Sequence, residues 1–392
     1  MRRSLLHVLW TILCAIALAH SVRAGTFELV ATHPEVAAQA TSTGRILATL
    51  KPFNGRLYAG YGDGNANTGP ITVRAFDPVA GDFSPPLFTS TTEAIYIYRE
   101  IDGQLYAPNI DTSGAGGRGS GYARGTPSET GDVWEDVLPV TGLHMFDINT
   151  LNGTDLLMVG SQGNNGAAFY SSDGINWDTE LFTPGRNKDF ARLHGSGRFD
   201  GKLYTQPWQT PTNGKGPASL VFDGVTWTEG PNLLASVVWH PEEFAGQMVY
   251  QGNFAGITGS NLFKFDGTRA KNAYSPKGNQ PSNFWDFSID GGVLYGLLTS
   301  GTILQTTDLS TWTPVATAPL GSRSLAMLNG RLYVGGSQGD LYEYSDSVAT
   351  FSPALAMVFV PEPPTATMLM ICVAIWPMLA RYRRGARCFR FR

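Results

Sequence analysis

Short apolar segments separated by Gly-containing turns run through most of the chain, and their spacing repeats between residues 25 and 360. Each repeat begins with a turn, usually Asn-Gly or Asp-Gly, that leads into an apolar strand often containing Leu-Tyr. Residues 54–58 (NGRLY) are the first copy, and residues 329–333 (NGRLY) are the seventh. Asn-Gly or Asp-Gly between two apolar runs predicts a tight β-hairpin, because both turn residues adopt positive φ.

A second apolar strand, a short turn and an aromatic residue follow each copy, as in residues 220–227 (LVFDGVTW). Four strands in about 48 residues match the size of one blade of a β-propeller. The pattern therefore predicts an all-β, seven-bladed β-propeller over residues 25–358, with six or eight blades left open. Residues 27–32 resemble the outer strand at 312–317, so we expect them to pair with the last blade and cover its edge. Residues 351–355 are the alternative candidate for the outer strand of the last blade.

The N-terminal segment, residues 1–24, has the layout of a signal peptide. Arg2 and Arg3 precede an apolar run at 5–19, and small residues precede a cleavage site between Ala24 and Gly25. This arrangement predicts export and processing by signal peptidase. A retained first membrane helix is the alternative.

The C-terminal segment, residues 359–392, places a Pro-Glu-Pro motif before a short hydrophobic helix and an arginine cluster. The apolar stretch, 366–380, is shorter than the roughly 20 residues that span a bilayer, and Pro377 interrupts it. The order of these elements resembles the PEP-CTERM sorting signal of Gram-negative bacteria, carried here by Pro361, Glu362, Pro363, Arg381, Arg383 and Arg384. The resemblance implies recognition by an exosortase, transient insertion in the inner membrane, and release to the cell envelope, the cell surface or the extracellular matrix. A plain tail anchor is the alternative.

The charge of the chain separates its ends from its middle. The full sequence carries 28 Lys and Arg against 32 Asp and Glu, a formal charge of −4. Residues 1–24 hold three Arg and no acid, and the tail after Val360 holds six Arg and one Glu. Subtracting both ends leaves 19 basic and 31 acidic residues in 25–360, a net charge of −12. Because nucleic-acid binding depends on clustered Lys and Arg, nucleic acid is excluded as an expected partner.

The three cysteines lie only in the two terminal segments, at Cys14, Cys372 and Cys388. The body therefore has no thiolate zinc site, cysteine nucleophile or disulfide.

Two repeats carry motifs that resemble known propeller families. Residues 171–177 (SSDGINW) resemble the Asp box of sialidase-type and other BNR propellers, and residues 332–344 resemble a kelch repeat. From the residues themselves we expect the Asp to cap a tight turn with its carboxylate. We also expect the recurring tryptophans to pack between neighbouring blades: Trp134, Trp177, Trp227 and Trp312.

Candidate chemistry is sparse. Counting back from each turn places Arg45, Arg192 and Arg323 at the starts of inner strands, with His144 and His194 at a similar level. Sialidases resemble one another in clamping a carboxylate with three arginines, so these five residues define the alternative function, a secreted carbohydrate-active hydrolase or lyase. The favoured interpretation assigns no catalytic residue.

No cofactor is predicted, because the histidines come from separate repeats without metal-ligand spacing. One loop offers calcium-type oxygen ligands at Asp63, Asn65 and Asn67, although no bidentate Glu follows.

The loops between second and third strands are expected on one face of the propeller. They are rich in Gly, Asn, Thr and Gln, and amide groups beside an aromatic platform suit a sugar or peptide. The ligand-binding candidates are Tyr122, Trp208, Trp239 and Trp285. The sequence thus predicts an exported envelope or matrix β-propeller that binds a glycan or exopolysaccharide or serves as a structural surface protein. The ligand and the oligomeric state stay open.

Overall fold

A computed structural model describes residues 25–111, 120–128, 132–183, 191–208, 218–253, 259–276 and 282–345. All of them belong to the first of the chain's two units, Met1–Asp346. The second unit, Ser347–Arg392, lies outside the described residues, and so do Ala24, the sorting residues and the competing outer strand at 351–355.

The described residues form β-strands and one short helix, α1 (Pro34–Ala37). The prediction of an all-β chain is confirmed. In chain order the strands are β1 (Thr26–Thr32), β2 (Thr49–Phe53), β3 (Arg56–Gly60), β4 (Ile71–Val73), β5 (Ala75–Asp77), β6 (Asp82–Phe83), β7 (Phe88–Ser90), β8 (Arg99–Ile101), β9 (Gln104–Pro108), β10 (Ser120–Thr126), β11 (Val133–Val140), β12 (His144–Asn149), β13 (Leu156–Gln162), β14 (Asn165–Ser171), β15 (Asp178–Phe182), β16 (Arg192–Phe199), β17 (Lys202–Trp208), β18 (Leu220–Phe222), β19 (Trp227–Glu229), β20 (Trp239–Phe244), β21 (Gln247–Gln251), β22 (Ser260–Phe265), β23 (Ala270–Asn272), β24 (Asn283–Asp290), β25 (Val293–Leu298), β26 (Thr302–Thr306), β27 (Thr313–Thr317), β28 (Ser324–Leu328), β29 (Arg331–Gly335) and β30 (Asp340–Ser345).

Antiparallel pairing groups these strands into four-stranded units. Separate sheets have the orders β2-β3-β5-β6, β8-β9-β10-β11, β12-β13-β14-β15 and β16-β17-β18-β19. A longer sheet contains β20-β21-β22 with β23 on β22, and it continues through a short β22–β24 ladder into β24-β25-β26-β27. The last sheet has the order β1-β30-β29-β28, so the N-terminal strand pairs with the C-terminal one. Strands β4 and β7 form a separate ribbon.

The first strand of each unit is called its inner strand here: β2, β8, β12, β16, β20, β24 and β28. Inner strands of neighbouring units contact one another, including β8 with β12, β12 with β16, β16 with β20, β24 with β28 and β28 with β2.

The predicted Asn-Gly and Asp-Gly turns are present where the repeats placed them. Asn54 and Gly55 have φ values of 47° and 74°, and Asn329 and Gly330 have 52° and 75°. Both positions of such a turn need positive φ, which Asn, Asp and Gly adopt most easily.

Aspartates cap the second set of turns, as the sequence predicted. The Oδ1 atom of Asp173 accepts hydrogen bonds from the backbone N–H groups of Ile175 and Asn176, each at 2.8 Å. Asp266 makes equivalent bonds to Thr268 and Arg269. The hydrogen bonds from the Thr268 side chain and these amides lower the pKa of Asp266 to about 2, because they favour the charged form.

The four recurring tryptophans pack against an aromatic residue of the preceding unit, which confirms their structural assignment. Ring centroids lie 5.6 Å apart for Trp134 and Tyr58, 6.4 Å for Trp177 and Tyr122, 5.3 Å for Trp227 and Phe182, and 5.5 Å for Trp312 and Tyr274.

Buried aspartates join inner strands to each other. Asp147 on β12 and Asp286 on β24 each follow an irregularity in strand register, and each carboxylate accepts from the next residue's N–H. Their second oxygens accept from the neighbouring inner strand: Asp147 from Ser196 N at 3.0 Å, and Asp286 from Leu325 N at 2.9 Å. We call this arrangement the aspartate clasp.

Arg99 on β8 adds a charged link between three units. Its guanidinium donates to both oxygens of Asp147 at 2.9 and 3.1 Å, to the carbonyl of Pro241 at 3.0 Å and to Glu242 at 2.7 Å. Burial opposes the charge of Arg99, but Asp147 and Glu242 raise its pKa. A buried guanidinium of this kind is stable only while its partners remain.

The segment after β1 is held by a buried histidine. The backbone N–H of His33 donates to the carbonyl of Gly339 at 2.8 Å, and its Nδ1 accepts from Val36 N at the start of α1. The side chain is fully buried against Tyr61 and Phe83. Burial lowers the pKa of His33 to about 4, with Glu35 opposing and Arg74 reinforcing the shift.

Replacing Asp286 with Ala should lower the free energy of unfolding by about 3 kcal/mol, because two buried N–H groups lose their acceptor. Urea denaturation followed by tryptophan fluorescence measures the change. The matched control is Asp290→Ala, at the exposed end of the same strand, where we expect a change within about 0.5 kcal/mol. Equal losses for the two variants would contradict the clasp.

Replacing His33 with Asn should reduce the sensitivity of the fold to acid. The folded pKa of His33, about 4, lies below the usual histidine value of 6.5, so its contribution to stability is complete above pH 6.5 and is lost as the pH falls through 4. The loss at pH 4 is on the order of 3 kcal/mol. Asn keeps an N-capping acceptor and does not titrate.

Urea denaturation of both proteins at pH 7.5 and pH 4 makes the comparison. The wild-type chain should lose more stability over this interval than His33→Asn. Parallel losses would show that His33 is not the group responsible.

Candidate functional site

A cavity of about 220 Å³ lies where several inner strands begin and their neighbouring strands end. We call it the loop-face cavity. Its lining is Gly64, Asn65, Tyr96, Ile110, Asp111, His144, Phe146, Arg192, His194, Trp208, Val237 and Asn253. Four residues singled out from the sequence therefore meet here, together with Asn65 of the calcium-candidate loop.

Strand register explains the meeting of Arg192 and Trp208. Arg192 is the first residue of β16 and Trp208 is the last residue of β17, and the two are directly paired across the antiparallel ladder. His144 occupies the corresponding first position of β12 in the neighbouring unit.

His144 and Asp111 form an ion pair through His144 Nδ1 and an Asp111 carboxylate oxygen. Asp111 follows the end of β9, and its backbone carbonyl accepts a hydrogen bond from Glu93 N at 3.0 Å. Burial lowers the pKa of Arg192, and the charge of Asp111 opposes that shift. Asp111 therefore contacts His144 on one side and opposes the effect of burial on Arg192 on the other.

Aromatic rings form one wall of the cavity. Phe146 stacks on His144 at 5.6 Å between ring centroids and lies 4.3 Å from His194, and Trp208 meets His194 edge-on at 5.8 Å. Burial, then Arg192 and His144, lower the pKa of His194 to about 3. His194 is thus a neutral member of the wall at ordinary pH, while Trp208 remains partly exposed.

The loop that begins at Asp63 borders the cavity and is internally bonded. The carboxylate of Asp63 accepts from the Thr41 hydroxyl at 2.9 Å and from Asn65 N at 3.2 Å. Tyr96 ties the loop down, since its hydroxyl accepts from Gly64 N and donates to the carbonyl of Gly62, both at 3.2 Å. These bonds account for the loop shape without an ion, and calcium at Asp63, Asn65 and Asn67 stays a prediction.

Among the residues that the structure describes, no group of three or more His, Cys, Asp or Glu side chains is arranged to hold a metal ion. Within the same ranges, no helix has the length and apolar character needed to cross a membrane.

Two of the five residues of the alternative enzyme site lie outside the lining of the cavity. Arg45 donates to the carbonyls of Gln39 and Ala40. Arg323 lies over the ring of Trp285, 3.8 Å from its centroid. Trp285, one of the ligand-binding candidates, is also outside the lining. The three-arginine clamp that a sialidase resemblance implied is not assembled around this cavity.

Two ligand-binding candidates prove to be buried. Tyr122 is 0% exposed because it packs against Tyr106 and Trp177 between units, so it offers no face to a ligand. Trp239 is 3% exposed and belongs to an apolar cluster with Tyr96, Ile110, Phe146 and Val237, which line the cavity. Trp239 itself is outside the lining.

Sequence reasoning missed several residues of the site. Asp111, Phe146, Tyr96 and Asn253 line the cavity, and no motif marks any of them in the sequence. The repeat pattern holds one signal for Asp111, because this residue follows the second strand of its unit and therefore lies at the same end of the strands as His144, the first residue of the next inner strand.

No protein-family model matches the chain, and no curated protein matches its sequence. Solved structures resemble its fold. The extracellular domain of the one component system BT4673 from B. thetaiotaomicron has a TM-score of 0.51 and 11% identity, and the match covers 81% of this chain and 40% of that one.

Two further structures are similar at lower scores. YCF48 from Cyanidioschyzon merolae has a TM-score of 0.47 and 13% identity over 81% of this chain and 98% of its own. BamB from Moraxella catarrhalis has a TM-score of 0.41 and 13% identity over 76% and 85%. At such identities the BT4673 likeness speaks for the fold alone. With the repeated four-stranded antiparallel units, it supports a β-propeller fold for this chain.

Proposed function

We propose that the chain is an exported, seven-bladed β-propeller of the cell envelope or extracellular matrix that binds a glycan in the loop-face cavity. The observation that carries the proposal is the convergence of Arg192, His144, Asn65 and Trp208 on one cavity.

Seven blades are counted when the longer sheet is divided into two blades at the β22–β24 ladder. The last blade takes β1 as its fourth strand, and further bonds join it to the first blade. Leu47 N donates to the carbonyl of Gly336 at 3.0 Å, and the Ser324 hydroxyl donates to the carbonyl of Leu47 at 2.7 Å. These contacts between the two ends of the repeat region support a closed ring.

A sugar fits the chemistry of the cavity. Partly exposed Trp208 offers an aromatic face for the C–H surface of a pyranose ring, and the amides of Asn65 and Asn253 can both donate and accept toward hydroxyl groups. The guanidinium of Arg192 adds several donors in a fixed plane. A cavity of about 220 Å³ suits one or two sugar residues rather than a long buried polymer.

The location rests on the terminal segments. We propose that signal peptidase cleaves between Ala24 and Gly25, and that an exosortase recognises Pro361–Pro363 while the hydrophobic segment is transiently in the inner membrane. The BT4673 domain is described as extracellular, and it shares only its fold with this chain.

Catalysis is not part of the proposal. The alternative, a hydrolase or lyase, would use His144, Arg192 and His194. Cleavage of the glycan that the cavity binds would distinguish such an enzyme from a binding protein.

Replacing Trp208 with Ala should weaken glycan binding at least tenfold, because it removes the exposed aromatic face of the cavity. A glycan array probed with the full-length protein identifies the ligand, and calorimetry measures the affinity. The matched control is Trp285→Ala, since Trp285 is also partly exposed and lies outside the lining. A larger loss of glycan affinity in Trp285→Ala than in Trp208→Ala would indicate a binding site outside this cavity. Turnover of the bound glycan would indicate an enzyme rather than a binding protein.

The mature protein should lack residues 1–24 and end near Pro361–Pro363. Intact-mass measurement of the protein recovered from an exosortase-bearing Gram-negative host tests both ends. Glu362→Ala should leave N-terminal cleavage unchanged and retain the C-terminal segment. A full-length tail in the membrane fraction of the wild-type chain would contradict sorting and favour a plain anchor.

A further inference from the structure

A groove of about 320 Å³ lies between the unit formed by β12 to β15 and the unit formed by β16 to β19. We call it the inter-unit groove, and it shares no lining residue with the loop-face cavity. On its first wall Tyr170 of β14 pairs with Asp178 of β15, and Ala168 pairs with Glu180. Residues directly opposite each other in an antiparallel ladder place their side chains on the same face. Both carboxylates therefore lie on the face that carries Tyr170.

The second wall of the groove is aromatic and apolar. Phe222 of β18 and Trp227 of β19 are directly paired, and their rings stack at 4.9 Å between centroids. Tyr170 meets Phe222 at 5.0 Å, so the two walls are in contact there. Val225 continues this wall toward solvent and is 86% exposed.

The groove presents negative charge to a ligand. Asp178 and Glu180 are exposed, and among the described residues neither side chain has a hydrogen bond or an ion pair. No described Lys, Arg or His belongs to the lining. A Lys or Arg side chain suits both walls, because its charged end pairs with a carboxylate while its stem packs on aromatic rings and on Val225.

The edge of β15 points to an extended polypeptide as the source of these cations. β15 is the last strand of its sheet, so no ladder partner covers its outer edge among the described residues. Asp178 and Glu180 are two residues apart, a separation of about 7 Å along a strand. A segment paired with this edge presents every second side chain to the same face, at the same spacing.

We propose that the inter-unit groove docks an extended segment of a partner protein that carries Lys or Arg at alternate positions. The backbone of the segment pairs with the edge of β15, and its cationic side chains contact Asp178, Glu180 and the aromatic wall. The glycan site in the loop-face cavity is separate, and this inference does not depend on it.

Synthetic peptides of equal length test the pattern of charge. One alternates Thr and Lys, a second has the same composition with its lysines in one block, and a third alternates Thr and Glu. Each is titrated into the full-length protein by calorimetry, with spermidine as a cation that lacks a peptide backbone. The alternating lysine peptide should bind about fivefold or more tightly than the block peptide, because only alternate residues of a strand share a face. The glutamate peptide should bind most weakly, and added salt should weaken binding of the lysine peptide.

Val225→Lys tests the location. It places a cation in the groove without removing a buried side chain, so it should weaken binding of the alternating lysine peptide about tenfold. The matched control is Ile175→Lys, since Ile175 is 78% exposed and also lies two residues after a turn-capping Asp, but outside the lining. The control should bind within about twofold of the wild-type chain.

Removing the carboxylates tests their role. Asp178→Asn combined with Glu180→Gln should also weaken binding of the lysine peptide about tenfold, as expected for the loss of two exposed ion pairs. The control combines Asp102→Asn with Asp200→Asn, two exposed turn positions whose positive φ suits Asn. It changes the net charge by the same amount and should keep the affinity.

The outcomes separate this inference from the proposed function. Equal binding of the alternating and block peptides overturns it, as does binding of spermidine or of a glucosamine tetramer as tight as that of the alternating peptide. Equal losses in Val225→Lys and Ile175→Lys, or in the two double variants, place the peptide elsewhere and overturn the groove as its site. Trp208→Ala should leave peptide binding unchanged, so a failure of glycan binding leaves this inference standing.

Discussion

The aspartate clasp is the interaction on which the arrangement of this fold depends. Asp147 and Asp286 each accept one hydrogen bond from their own strand and one from the next inner strand, so one side chain fixes both a local bulge and the contact between two units. Side-chain bonds of this kind matter because, among the described residues, no ladder pairs the inner strands of neighbouring units. Arg99 extends the clasp at Asp147 to the carbonyl of Pro241 and to Glu242, and these buried charges are favourable only as a complete set.

On β12 and β16, a strand irregularity separates the residues of the loop-face cavity from those that join the units. On β12 the register shifts between Met145 and Asp147, and on β16 it shifts between Leu193 and Ser196. Such bulges bend a strand and redirect its side chains. Residues before the bulge, His144 and Arg192, line the cavity, whereas those after it, Asp147 and Ser196, join the units. The same strands thus line the cavity at one end and attach neighbouring units in the middle.

The sequence was informative wherever a local rule determines the structure. Hairpin turns need positive φ, so the Asn54-Gly55 dipeptide was enough to predict a turn at that position. The turn at 171–177 could be predicted because the carboxylate of an Asp reaches the backbone N–H groups two and three residues later. Packing of Trp134 against Tyr58 follows from the repeat, because an aromatic residue at a fixed position in each unit must face the same neighbour. Tyr122 was a ligand-binding candidate because it lies beside a polar loop, but its position on β10 directs its side chain between two units.

The candidate site was harder to predict because its members are related by three-dimensional placement rather than by spacing. Arg45, Arg192 and Arg323 all precede inner strands, but an arginine side chain is long, and local partners decide where its charge lies. Arg45 is held by Gln39 and Ala40, and Arg323 lies over Trp285, while Arg192 has Trp208 as its cross-strand neighbour. Asp111 carries no motif, and a backbone hydrogen bond from Glu93 joins its segment to another part of the chain. The chemistry of the cavity is therefore set by three-dimensional placement, which brings Asp111, His144, Arg192 and Trp208 together from separate segments.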